Sequence, residues 1–238
     1  ISSLEDLNED QLIAYEEVQQ AFLHPKPALL YGVTGSGKTH IYIHLIKEQI
    51  DSGKQVLFLL PEIALTSQLI ERLSVFFGDK LLVSHSKFST NERLEVYKAI
   101  ASGKPYLIVG TRSAVLQPFT NLGLIVVDEE HENTFKQYDP SPRYQARDAS
   151  LVLARMQGSK VLLGSATPSI ESYTNAKEGK YGLVTLSKRH GNVTLPEITC
   201  ADVKEATRKK KTTRRKRMTV KTKELRALTL QLWRLRLE

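Results

Sequence analysis

Short apolar runs recur along the chain and are separated by segments whose apolar residues follow helical spacing. The runs are Ala28-Leu29-Leu30-Tyr31, Gln55–Leu60, Leu81-Leu82-Val83, Tyr106–Val109, Leu124–Asp128 and Lys160–Gly164. Each is of strand length and unbroken by polar residues on one face, as expected of strands buried on both sides. The first helix is predicted over residues 8–23. Asn8 can cap it, Gln11 follows three positions on, and Leu12, Tyr15, Val18 and Phe22 share a face before Pro25 and Pro27 end it. Further helices are predicted over 39–50, 64–77, 91–101 and 146–156, with a turn at Ser52-Gly53-Lys54. Strands alternating with helices indicate an α/β fold: a mostly parallel sheet with helices on both faces. The pattern carries no strand order.

At 238 residues the chain is long enough for one or two domains. Its 41% hydrophobic and 25% charged content is that of an ordinary globular protein. No apolar run reaches the length of a bilayer span, so no membrane partner is expected. Ile1-Ser2-Ser3-Leu4-Glu5 is not a signal peptide, and with no starting Met the chain is expected to be a piece of a longer one. The lone Cys200 excludes an internal disulfide and a cysteine-only zinc cluster. A reducing cytoplasm fits that cysteine usage.

The net charge of +8 is unevenly placed. Residues 203–238 carry 14 Lys+Arg and 3 Asp+Glu, a local +11, which leaves −3 for residues 1–202. We therefore divide the chain into a body, 1–202, and a basic tail, 203–238. The blocks 208–211 and 214–217 suggest disorder, and Leu225, Leu228, Leu232 and Leu235 suggest a short amphipathic helix. Nucleic-acid binding by the body must then rest on local residues rather than bulk charge.

Two motifs carry chemistry. Gly32-Val33-Thr34-Gly35-Ser36-Gly37-Lys38-Thr39 fits the phosphate-binding loop G-x-x-x-x-G-K-[ST], between a strand and a helix as that P-loop requires. Gly32, Gly35, Ser36 and Gly37 would shape the loop. Lys38 would meet the β- and γ-phosphates of ATP, and the Thr39 hydroxyl would ligate Mg2+. Asp128-Glu129-Glu130-His131 ends the apolar run 124–127. Asp128 would hold the magnesium and Glu129 would polarise the attacking water. The alternative, an acidic loop capping the next helix, loses weight beside the phosphate loop. Gly164-Ser165-Ala166-Thr167-Pro168 follows another strand, where Ser165 and Thr167 could bond to the acidic motif.

The order of these strings resembles a superfamily 2 helicase. Leu7-Asn8-Glu9-Asp10-Gln11 looks like an adenine-recognising segment. It is followed by the glycine loop, by Leu60-Pro61-Glu62-Ile63-Ala64-Leu65-Thr66, by Val109-Gly110-Thr111-Arg112-Ser113-Ala114, by the acidic box and by Gly164-Ser165-Ala166-Thr167. Gly32–Thr39, Pro61–Thr66 and Pro142-Arg143-Tyr144-Gln145-Ala146-Arg147-Asp148 are more closely similar to the bacterial replication-restart helicases, the primosomal protein N′ family. The resemblance covers about residues 5–203 and rests on six motifs in order.

That resemblance implies a RecA-like lobe that binds ATP and Mg2+ in a DNA helicase of the bacterial cytoplasm, with primosome and single-strand-binding proteins as partners. It implies that Gln11 reads adenine, that His131 joins the ATP site to DNA-sensing elements, and that Thr111 and Arg112 hold a DNA phosphate. It also implies single-stranded DNA sensing by an aromatic-basic loop: Phe135, Lys136, Tyr138, Arg143, Tyr144 and Arg147. Aromatic faces stack on bases of any sequence and cations follow the backbone. The competing reading of that loop is a core-packed Phe/Tyr pair with solvated charges, and of Thr111 and Arg112 a helix cap and an ion pair. The family's zinc cysteines and second lobe, with its arginine contacts to the γ-phosphate, have no match here. The chain by itself is thus expected to hydrolyse ATP poorly. Other functions remain open: a double-strand translocase or RNA helicase lobe, or a non-enzymatic, ATP-controlled docking module whose tail binds DNA.

Overall fold

The computed structural model describes Leu4, residues 6–85 and residues 88–188. The described residues belong to one compact unit. The basic tail, its like-charge blocks and its leucine-spaced segment lie outside the described residues.

Seven parallel strands form one sheet in the order β3-β4-β2-β5-β8-β1-β9. They are β1 (Ala28–Gly32), β2 (Gln55–Leu59), β3 (Leu81–Ser84), β4 (Leu107–Gly110), β5 (Leu122–Asp128), β8 (Lys160–Ser165) and β9 (Gly182–Leu186). A two-stranded antiparallel ribbon, β6 (Lys136–Gln137) and β7 (Tyr144–Gln145), stands apart. The helices are α1 (Glu9–Phe22), α2 (Lys38–Asp51), α3 (Ser67–Phe77), α4 (Thr90–Ala101), α5 (Ala146–Gln157) and α6 (Ile170–Lys177).

Strand side chains alternate between two faces, which explains the unbroken apolar runs. One core gathers Ala28, Leu30, Val56, Phe58, Val109, Val126 and Leu162 with Val18 of α1, Ile46 of α2 and Leu73 of α3. The other gathers Leu29, Leu57, Ile108, Ile125 and Leu163 with Ile100 of α4, Ala154 of α5 and Ala176 of α6. The sheet is covered on both sides, as expected.

Local signals place most helix ends. Asn8 and Gln11 form a reciprocal capping box at α1, and Ser89 and Glu92 form another at α4. Helix α3 begins at Ser67, not 64, because Pro61–Ala64 closes a turn through Ala64 N to Pro61 O (2.9 Å) and Thr66 takes the cap. Helix α6 and strand β9 were not expected. Among the described residues, no helix is long and apolar enough to cross a membrane.

Candidate nucleotide site and its coupling residues

Strands β1, β8 and β5 are neighbours, so the glycine loop, the Ser165 turn and the acidic motif leave the same edge of the sheet side by side. That is the carboxyl edge, where open parallel sheets bind ligands. Asp128 pairs in register with Gly164, and Ser165 with Tyr31.

The phosphate loop is shaped by backbone needs. Gly35 (φ +77°) and Gly37 (φ +86°) take left-handed angles. At Gly32 a Cβ would lie 2.9 Å from both Lys38 Cγ and Ser36 Oγ. Gly37 caps α2 without a side chain, leaving first-turn amides free of side-chain caps. Lys38 is buried and its Nζ donates to Gly32 O (2.8 Å), while Glu129 Oε1 lies 4.0 Å away. Ser36 Oγ is buried and has no hydrogen-bond partner among the described residues. An orphaned hydroxyl, uncapped amides and a buried lysine in one cradle fit an anion such as a nucleotide phosphate. Thr39 follows on the first turn of α2, half-buried.

Gln11 reaches this loop from α1. It is buried, its Oε1 accepts from Asn8 N (3.1 Å), and its Nε2 donates to Ser36 O (3.4 Å). The paired contact with adenine expected of Gln11 thus meets an amide already engaged at both ends.

In the acidic motif, Asp128 Oδ1 accepts from the Tyr42 hydroxyl (2.9 Å). Burial, and then the charge of Glu129, push the Asp128 carboxyl up to about 6, against the opposing Tyr42 bond and Lys38 charge. A divalent cation held by Asp128 would offset that repulsion. Glu129 is the one non-glycine residue with positive φ (+48°) among the described residues. This unfavourable conformation, worth roughly 1–3 kcal/mol, aims its carboxylate at Lys38 and at His131 Nδ1 (3.6 Å). His131 Nδ1 lies 2.8 Å from Ser165 Oγ, and its Nε2 lies 3.3 Å from Thr167 Oγ1. Thr167 N donates back to Ser165 Oγ (2.9 Å). The hydroxyl residues expected to bond the acidic motif do so through His131.

The aromatic-basic loop divides. Tyr138 is 62% exposed, with Lys136 Nζ 4.8 Å from its ring centroid, and Arg143 is exposed as well. Phe135 is 1% exposed and belongs to the core under α5, which corrects the expectation that it stacks on bases. Tyr144 is half-buried and its hydroxyl donates to Arg112 O (3.3 Å). Arg112 donates to Thr134 O (3.2 Å) and pairs with Glu62 (3.6 Å). Thr111 is buried at the end of β4 and makes no side-chain cap. Arg147 is corrected too. Its side chain turns inward to Glu130 (3.1 Å) rather than out to solvent.

Glu130, Ser169, Ser172 and Tyr42 were not anticipated. Glu130 is fully buried, and its carboxylate accepts from Ser169 N (2.6 Å), Ser169 Oγ (3.0 Å), Ser172 Oγ (2.8 Å) and Arg147 (3.1 Å). Nothing in the string Asp-Glu-Glu-His says which carboxylate turns inward. The signal available for Tyr42 was its place one helical turn after Lys38.

Comparison with known proteins gives a consistent picture. A family model described as DEAD/DEAH box helicase matches residues 8–176. The chain is 44% identical over 209 residues to the replication restart protein PriA of Chlamydia trachomatis, covering 86% of this chain and 28% of that protein. It is 46% identical over 200 residues to that of Haemophilus influenzae (83% and 27%) and 40% identical over 204 residues to that of Bacillus subtilis (85% and 25%). The chain therefore spans little more than a quarter of these relatives. Among solved structures, RecG bound to a three-way DNA junction superposes with a TM-score of 0.63 at 20% identity, covering 90% of this chain and 28% of that one. The helicase MrfA bound to DNA gives 0.55 at 21% identity, covering 77% and 27%. These likenesses support the RecA-like fold, and the family model, matching well over half the chain, shows that this chain belongs to the DEAD/DEAH box helicases.

Proposed function

We propose that this chain is the first, ATP-binding lobe of an ATP-dependent DNA helicase that restarts stalled replication in the bacterial cytoplasm. The use of ATP and magnesium goes with the family. The observation that carries the reading is the convergence of the phosphate loop, the acidic motif and the His131–Ser165–Thr167 cluster at one sheet edge. The restart role is carried by the 40–46% identity to replication restart proteins.

When bound, ATP–magnesium supplies the scissile phosphoanhydride and the cation that draws off its charge. Lys38 and the first-turn amides of α2 hold the phosphates, with Ser36 Oγ available as a further donor. Thr39 and Asp128 would hold the cation. Glu129 accepts the proton of the attacking water, its carboxylate kept in place by the backbone turn at φ +48°. His131 joins Glu129 to Ser165 and Thr167, so the state of the site is felt at the β8 turn. Exposed Tyr138, Lys136 and Arg143 offer a stacking face and cations to single-stranded DNA. Primosome and single-strand-binding proteins are proposed partners of the intact protein, in which a second lobe would complete the site.

The test is ATP turnover of the full-length protein with single-stranded DNA, duplex DNA or RNA. Stimulation by single-stranded DNA well above the others supports the reading, and equal or greater stimulation by RNA or duplex overturns it. The docking-module reading is separated by the salt dependence of DNA binding with and without residues 203–238. Binding and its salt slope that vanish with the tail would favour it.

A further inference from the structure

Glu130 sits in sequence between Glu129, the proposed base, and His131, which joins that base to the β8 turn, yet its carboxylate turns to other partners. Its carboxylate is wholly buried and takes four hydrogen bonds from three separate places. Two come from Ser169, the cap of α6, and one from Ser172 in its first turn. The fourth comes from Arg147, near the start of α5 and two residues beyond the ribbon strand β7. Arg147 also donates to Ser169 Oγ (2.8 Å) and, through Nε, to Asp148 (2.8 Å).

This arrangement exceeds what the fold needs. A buried carboxylate–guanidinium pair is poor value for stability, since apolar packing of the same volume does as well. What the pair does is fix geometry. It ties the acidic motif to both α6 and the stem of the aromatic-basic ribbon. The first turns of both helices thus bond to Glu130, and the Glu130 amide is itself held by Gly164 O (3.1 Å). A movement of the ribbon stem therefore reaches Glu130 through one bond, and Glu129 and His131 are its covalent neighbours.

We infer that Glu130 and Arg147 are positioning residues that transmit the state of the Lys136–Tyr144 ribbon to Glu129 and His131, and that Arg147 does not bind DNA. The inference rests on the proposed function but makes a separate claim. Glu130→Gln is the sharpest variant. It keeps the size of the side chain and its acceptor toward Ser169 N, but sets an amide donor against the Arg147 guanidinium. Arg147→Lys keeps the charge and loses the planar fork.

The experiment is a DNA titration of ATP turnover in the full-length protein, with DNA affinity measured separately at several salt concentrations. For both variants the maximal DNA-stimulated turnover falls about tenfold or more. The DNA concentration for half-maximal stimulation, the DNA affinity and the salt slope stay within about twofold of wild type. The double variant Glu130→Gln/Arg147→Lys is no slower than the worse single variant, because the pair acts as a unit. A merely structural role would instead lower DNA affinity and turnover together, overturning the inference. An Arg147→Lys effect confined to DNA affinity, with a salt slope lower by about one, assigns Arg147 to a phosphate and also overturns it. Unchanged turnover in both variants does the same. If wild-type turnover shows no response to DNA, the proposed function fails with it. If it responds and only the variants depart from expectation, the inference alone fails.

Discussion

At the residue scale, the phosphate cradle holds a tension that can be measured. Ser36 Oγ is buried without a partner among the described residues, a condition that costs about 1–3 kcal/mol. Ser36→Ala should therefore raise the melting temperature of the ligand-free chain while reducing the further rise that ATP–magnesium produces. A variant that melts lower without ligand, or gains the full rise with it, would show that the hydroxyl is not kept for the nucleotide. Gly164 is a second such point. A Cβ there would overlap the Tyr42 hydroxyl, which holds Asp128. Gly164→Ala should cost about 1–3 kcal/mol and weaken magnesium-dependent nucleotide binding, and Tyr42→Phe in the same chain should recover part of the stability. Denaturant melts of the single and the double variant check this. The sequence offered the Ser/Thr turn as a partner for the acidic motif, because hydroxyls at one strand end can bond to polar groups at another. It did not show Tyr42 as the bridge, since a tyrosine one turn into an amphipathic helix is ordinarily core.

At the element scale, the strands were legible because β1, β2, β4, β5 and β8 are buried on both faces and read as unbroken apolar runs. The first helix was marked by its Asn8–Gln11 capping box, whereas the Ser89–Glu92 box of the fourth went unread. Helix α6 and strand β9 escaped because α6 is only 8 residues long and β9 is an edge strand of mixed burial. The ribbon β6–β7 escaped because two residues per strand carry no period. That omission is why Phe135 and Arg147 were assigned to the surface. A pattern of aromatic and basic residues does not tell which side of a ribbon faces the core. Buried polar residues hold the elements together where the apolar pattern breaks. Gln55 donates to Ile100 O (2.6 Å) at the end of α4 and accepts from Thr120 N and Asn121 N (3.1 Å each) ahead of β5. Gln55→Ala strands three backbone groups and should cost about 3 kcal/mol, read as a lower urea midpoint with unchanged slope. A loss below about 1 kcal/mol would mean that water replaces the amide there.

At the scale of the whole molecule, strand order decides what the motifs can do together, and the sequence does not carry it. Placing β8 between β1 and β5 sets the Ser165 turn between the phosphate loop and the acidic motif, which makes His131 a junction rather than a bystander. The chain spans little more than a quarter of its replication-restart relatives, so the motor proposed here is a property of the larger protein. The central claim is that Lys38 and Glu129 serve one ATP-hydrolysing site controlled by DNA. The most direct measurement is ATP turnover of the full-length protein, with and without single-stranded DNA, in wild type, Lys38→Ala and Glu129→Gln. The account predicts DNA-stimulated turnover in wild type and a fall of about a hundredfold or more in both variants, with Glu129→Gln still binding nucleotide. Wild-type turnover retained in either variant would contradict it.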